Sequence, residues 1–169
     1  IHYRADKENL LSRCEVWRGR RGSKRGQLDF GFHYSPYNFD SSPEQDFFHR
    51  MLAALEQNPA DVEDIYFTGA MDDPAKTEFL FEYQDKEGTW HNYAPDFLIR
   101  TKNGKMLIVE VKGEDRIGEE KTLLKKAAMR EIEGINAQSI KYEIISADRD
   151  QIRFSDLEKI KKLVYGKTK

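Results

Sequence analysis

Asp96, Glu110 and Lys112 are three charged residues in stretches that otherwise read as buried. The runs NYAPDFLIR and KMLIVEVKG are nearly continuous in apolar side chains, yet they carry these two carboxylates and an amine. Burying such a group costs several kcal/mol unless it is paired or binds a metal. Two outcomes are open: a structural ion-pair network near a strand end, or a pair of carboxylates that hold a metal ion beside an amine. Pro95 directly before Asp96, the apolar run Leu107-Ile108-Val109 leading into Glu110, and Gly113 directly after Lys112 accompany the charges.

Other chemistries find less support. His2, His33, His49 and His91 are scattered without metal-ligand spacing and are expected to be structural; only His91, a few residues before Asp96, is close enough in sequence to reach a substrate there. No G-x-S-x-G elbow suggests serine hydrolysis. Cys14 is the single cysteine, which excludes an internal disulfide framework and any zinc site of several thiolates, and fits a reducing compartment.

The elements that must position these residues are legible from periodicity. In SSPEQDFFHRMLAALEQNP, Ser42 can cap, Pro43 suits the first turn, and Glu44 and Asp46 favour the positive end of the dipole. A helix is expected over 43–57, with Phe47, Phe48, Met51, Leu52 and Leu55 as its buried stripe and Asn58-Pro59 as its stop. DIYFTG and EFLFEYQ read as strands. NYAPDFLIR and KMLIVEVKG are two more, joined around Asn103-Gly104, and their hydrophobicity predicts central strands covered on both faces. A helix follows over 118–133, with Leu123, Leu124, Ala127, Ala128 and Ile132 facing inward and Gly134 ending it. IKYEIISA is a fifth strand and FSDLEKIKKLVYG a last helix. This order predicts an α/β domain, a mixed central sheet flanked by helices.

Composition sets the bounds. With 169 residues, 38% hydrophobic and 34% charged, the chain can bury a real core without staples and carries a heavily charged surface. Its apolar runs are far shorter than the roughly 20 residues a membrane span needs, and no signal peptide opens it, so a cytoplasmic location is expected. The net charge of −2 exerts no global pull on nucleic acid. Basic residues are instead clustered: Arg18, Arg20, Arg21, Lys24 and Arg25 in WRGRRGSKRG, and Lys159, Lys161, Lys162, Lys167 and Lys169 near the end. Each cluster could touch phosphate or remain a solvated surface. Residues 1–40 read as an N-terminal arm, and 41–169 as the domain. Because the chain opens on Ile1, it is expected to be a piece of a longer polypeptide.

Pro95-Asp96 with Glu110-Val111-Lys112, in the wider setting NYAPDFLIRTKNGKMLIVEVKG, resembles the PD-(D/E)XK nuclease superfamily. It looks like the C-terminal endonuclease domain of type III restriction enzymes and related restriction proteins. The resemblance covers roughly residues 41–147 and implies a restriction-endonuclease-like core of αβββαβ order that cuts DNA. It also implies an upstream helicase or translocase domain and a modification subunit as partners. Its implied cofactor is Mg²⁺, with Mn²⁺ as a substitute, held by Asp96, Glu110 and the Val111 carbonyl, with Lys112 orienting the attacking water. Glu44 occupies the place where the first core helix often carries an acid facing the metal; its alternative is an ordinary dipole-favoured carboxylate. Lys121, Lys125 and Lys126 are implied DNA-backbone contacts, with a solvated helix face as the equal alternative; Arg20, Arg21, Lys24 and Arg25 are candidate DNA contacts from their charge clustering alone. A catalytically silent domain of the same fold that binds DNA or protein is the alternative function.

The site exists only if its carboxylates share a face. A two-residue Asn103-Gly104 loop would set Asp96 opposite Val111 and send Glu110 to the other side. A three-residue loop, Lys102 to Gly104, with Gly104 left-handed, is therefore predicted, setting Asp96 opposite Glu110.

Overall fold

The computed structural model describes residues 14–15, 37–58, 62–69 and 79–166. The basic stretch containing Arg20, Arg21, Lys24 and Arg25 lies outside them. A short antiparallel pair, β1 (Cys14–Glu15) and β2 (Tyr37–Asn38), precedes the first described helix.

Helix α1 (Ser42–Gln57) starts where the sequence predicts, but its cap is Ser41 rather than Ser42. The Ser41 hydroxyl accepts the Glu44 N–H at 3.3 Å and donates to the Glu44 carboxylate at 2.7 Å. The second Glu44 oxygen accepts the Asp40 N–H at 3.1 Å. Ser42 and Pro43 thus fall inside the first turn, where Pro lacks only an N–H that had no helical partner. Asp46 ties the same turn to the far sheet edge by accepting the Ile152 N–H at 3.0 Å.

The central sheet has five strands in the order β3-β6-β7-β8-β9. These are β3 (Val62–Phe67), β6 (Phe97–Thr101), β7 (Met106–Gly113), β8 (Ile140–Asp148) and β9 (Gln151–Ile152). The sheet is mixed, because β7 and β8 run parallel while the other neighbours are antiparallel. The parallel pair needs a crossover, and helix α2 (Glu120–Ile135) supplies it after a single 3-10 turn. Helix α3 (Phe154–Tyr165) closes the described chain. A separate hairpin, β4 (Phe81–Gln84) and β5 (Trp90–Tyr93), is inserted between β3 and β6. With that insertion set aside, α1, β3, β6, β7, α2 and β8 follow the expected αβββαβ order of a restriction-endonuclease-like fold.

Both sheet faces are covered. On one, α1 and α3 pack Phe47, Phe48, Met51, Leu55, Leu157 and Ile160 against Phe97, Ile99, Val109 and Ile145. On the other, α2 and the hairpin pack Met129, Tyr83 and Tyr93 against Leu98, Ile108 and Tyr142. This accounts for the near-continuous apolar character of β6 and β7: alternate residues serve different cores.

Three local expectations are corrected. NYAPDFLIR is two strands, broken at Ala94-Pro95-Asp96. Leu123 and Ala127 are exposed, Leu123 by 50%; Leu124, Ala128 and Ile132 pack inward with Met129, and Thr122 is the other buried residue of the helix. The helix also continues through Gly134 to an Asn136 cap, whose side-chain amide donates to the Ile132 carbonyl at 2.9 Å.

Candidate active site

The β6–β7 hairpin decides whether the charges can cooperate. Phe97 pairs with Val109, Leu98 with Ile108 and Arg100 with Met106. The Thr101 N–H donates to the Lys105 carbonyl at 2.9 Å, and Gly104 is left-handed at φ 83°, so the loop is the three residues 102–104. Carried one residue further, this register sets Asp96 opposite Glu110, as expected from the sequence. The pair falls at a position without mutual backbone hydrogen bonds, where facing side chains approach most closely.

The break at Pro95 builds the rest. In this register Pro95 stands opposite Val111, but it has no N–H to donate, and its carbonyl accepts the Thr68 hydroxyl at 2.7 Å instead. The Val111 N–H is taken by the Asp96 carboxylate at 2.7 Å. The Asp96 carbonyl accepts the N–H groups of Thr68 and Gly69 at 2.8 and 3.1 Å. Both the backbone and the side chain of Asp96 are therefore fixed by neighbouring strands. A side chain at position 69 would crowd the Phe67 ring at 3.0 Å and lie 3.6 Å from the Asp96 Cα.

Glu110 is only 2% exposed. Its Oε1 meets the Lys112 Nζ at 2.5 Å and lies 3.8 Å from the Lys125 Nζ. Its Oε2 accepts the Tyr93 hydroxyl at 2.7 Å, and that hydroxyl lies 3.1 Å from the Tyr142 hydroxyl. The Lys125 ammonium also sits 4.3 Å from the Tyr93 ring centroid, in cation–π contact.

The electrostatics are strained. Burial first, then the Glu110 and Glu44 carboxylates, hold the Asp96 carboxyl well above its ordinary range, against the opposing pull of Lys112. Burial also raises Glu44, although its bond to Ser41 works the other way, and Lys112 acts on it across the site. For Lys112, burial lowers the amine but Glu110 and Asp96 outweigh it, and the net shift is upward. Burial lowers the Lys125 amine. Burial also drives the Tyr93 and Tyr142 hydroxyls up, so both stay protonated.

Three carboxylates thus face two amines, and the donor set is oxygen alone, which suits a hard divalent cation. Among the described residues, no three His, Cys, Asp or Glu side chains converge closely enough to hold an ion by themselves. Asp96 and Glu110 alone could supply two oxygen ligands to a divalent cation, with water completing its shell.

The other expected residues are distributed as follows. Glu44 caps its own helix through Ser41, and its charge is felt by Asp96 and Lys112. Lys125 belongs to the cluster, whereas Lys121 and Lys126 are exposed on α2. His91 is exposed and pairs with Asp85 at 2.7 Å. Tyr93, Tyr142 and Thr68 were not singled out in the sequence. Tyr93 carries a weak signal, since it stands three residues before Asp96, but Tyr142 reads as an ordinary strand aromatic.

Against known families, residues 73–147 match the family model described as TnsA-like endonuclease N terminal. No curated protein and no solved structure matches the chain. The matched stretch holds Tyr93, Asp96, Glu110, Lys112, Lys125 and Tyr142 and leaves out Glu44, so the similarity to this endonuclease family falls on the strands and helix that build the cluster.

Proposed function

We propose that this chain is a Mg²⁺-dependent endonuclease module that hydrolyses DNA phosphodiester bonds at Asp96, Glu110 and Lys112. The observation that carries the reading is the hairpin register, which brings both carboxylates to one face and Lys112 beside them. The match to an endonuclease family over 73–147 supports it. The restriction-enzyme setting, with an upstream helicase or translocase and a modification subunit, rests on the resemblance of NYAPDFLIRTKNGKMLIVEVKG.

Asp96 and Glu110 would hold the cation, with Mn²⁺ able to replace Mg²⁺. Val111 would add its carbonyl: the N–H and C=O of a strand residue point to the same side, and Pro95 offers that carbonyl no donor. Bound there, the cation supplies Lewis acidity toward the scissile phosphate and acidifies a water. Lys112 orients that water and offsets the negative charge that grows as the phosphorus is attacked. Glu44 keeps the site's charge negative from the opposite helix. Lys121 and Lys126 face solvent, where phosphates of the duplex can reach them. A nuclease assay with Mg²⁺ on plasmid and oligonucleotide DNA, paired with calorimetric Mn²⁺ titration, tests the reading. Cleavage by the wild type that Asp96→Asn abolishes supports it; equal Mn²⁺ affinity in the two proteins counts against it.

A further inference from the structure

The two oxygens of Glu110 are treated differently. Both amines gather on Oε1, where Lys112 approaches to 2.5 Å and Lys125 to 3.8 Å. Oε2 instead receives a neutral hydroxyl from Tyr93 at 2.7 Å. Tyr93 has a single hydroxyl proton, and the carboxylate, which can only accept, takes it. The 3.1 Å contact between the two phenols then runs from Tyr142 as donor to Tyr93 as acceptor. The result is a directed chain, Tyr142 to Tyr93 to Glu110, in which all three side chains are buried.

The chain is anchored from separate elements. Tyr93 comes from the inserted hairpin, Tyr142 from the strand parallel to β7, and the Lys125 ammonium on α2 rests over the Tyr93 ring. A tyrosine has few rotatable bonds, and here both its ring and its hydroxyl are occupied. Oε2 is therefore held by a fixed hydroxyl, while Oε1 is held by ammonium groups on long lysine side chains that a divalent cation can displace.

Coordination number turns this asymmetry into a preference. Ca²⁺ takes six to eight oxygens and readily uses both oxygens of one carboxylate, whereas Mg²⁺ requires a compact octahedron and takes one. We propose that Tyr93, backed by Tyr142, is a positioning residue that restricts Glu110 to one-oxygen coordination through Oε1 and so biases the site toward Mg²⁺ and Mn²⁺ over Ca²⁺. The inference rests on the metal-site reading above and adds to it the basis of metal choice.

The test is calorimetric titration of the chain with Mn²⁺ and with Ca²⁺, in wild type, Tyr93→Phe and Tyr142→Phe, alongside thermal melts. Removing a group that orients a metal ligand commonly costs about 10- to 100-fold in affinity. Tyr93→Phe is expected to lose Mn²⁺ affinity on that order while Ca²⁺ affinity holds or rises, moving the ratio of the two by roughly tenfold or more. Tyr142→Phe keeps the Tyr93 bond but frees its direction, and a smaller shift of the same sign is expected. Equal losses for both ions in Tyr93→Phe would mean a merely structural role and would overturn the proposal. Should the melt show Tyr93→Phe unfolded, Tyr142→Phe carries the test, and an unchanged ratio there overturns it. A folded wild type that binds neither ion overturns the nuclease reading and this inference together, whereas binding with an unmoved ratio overturns the inference alone.

Discussion

Glu110 and Glu143 lie on neighbouring parallel strands, are 2% and 8% exposed, and each pairs with a lysine at 2.5 Å, yet their surroundings differ. Glu143 pairs with Lys159 and lies near Arg130, both exposed, in a network where Glu133 joins Arg130 and Lys141. Cations outnumber carboxylates there, and each cation reaches water. Around Glu110 the balance is reversed: Asp96 faces it and in turn feels Glu44, the amines are half-buried, and the Asp96 carboxyl is driven well above its usual range. A buried strand glutamate with a lysine partner is therefore weak evidence for chemistry. A surplus of like charge, fixed by backbone and hydroxyl donors, is far stronger evidence, because a fold gains nothing from it unless a cation joins.

The largest effect should separate the two glutamates outright. Glu110→Gln and Asp96→Asn are expected to lower Mg²⁺-dependent cleavage by roughly 100-fold or more. Glu143→Gln, by contrast, stays within about twofold, as changes outside a site usually do. Equal rates for Glu110→Gln and Glu143→Gln in the plasmid assay would erase the distinction.

Lys112→Ala sharpens it. Cleavage should again fall by roughly 100-fold, and the metal-free protein should lose stability, though less than the roughly 3–5 kcal/mol of a wholly unpaired buried charge, because Lys125 stays 3.8 Å from Glu110. Mn²⁺ should bind about as well as before and recover the melting temperature. A variant that cuts at the wild-type rate, or a melt that Mn²⁺ leaves unmoved, would make Lys112 resemble Lys159, a counter-ion and nothing more.

The pH dependence should also differ in sign from ordinary carboxylates. Asp96 is raised above its ordinary 3.8 in the fold, by burial and then by Glu110 and Glu44. The folded state thus binds this proton more tightly than the unfolded chain does, so its stabilising contribution is present below 3.8 and is lost as pH rises through the raised value. Measured without metal, Asp96→Asn should gain on the wild type in melting temperature over that interval, and Mg²⁺ should close the gap. A gap that does not change with pH would show that Asp96 carries no such burden.

The smallest effect belongs to the surface of α2. Lys126→Ala should weaken DNA binding modestly and lower the slope of log affinity against log salt by about 0.9. Lys125→Ala should reduce cleavage more than binding. If the two variants behave alike, Lys125 is one more phosphate contact.

Much of this was written in local patterns. Gly104 needed a positive φ and the carboxylates needed a common face, which together required the three-residue loop. The α1 stripe followed from spacing alone. What escaped depended on contacts between segments distant in sequence. Tyr142 meets the Tyr93 hydroxyl, and through it Glu110, only because β8 lies parallel to β7, and no pattern within IKYEIISA reveals that neighbour. Leu123 looks like a core residue in its helix, but the inward face is set by where α2 meets the sheet and hairpin, and that face is Leu124, Ala128, Met129 and Ile132. Asp96 showed its type and not its backbone role, because Thr68, its anchor, lies just past the end of β3, 28 residues earlier.

The loop at residues 102–104 also sets a parity rule for this scaffold. Because strand side chains alternate, a one-residue slip of β7 against β6 would exchange β7's residues between the two cores and part Glu110 from Asp96. A slip of two residues would keep the faces. A tag or sensor grafted at this tip would therefore have to lengthen the loop without shifting the pairing of Thr101 with Lys105 that closes it.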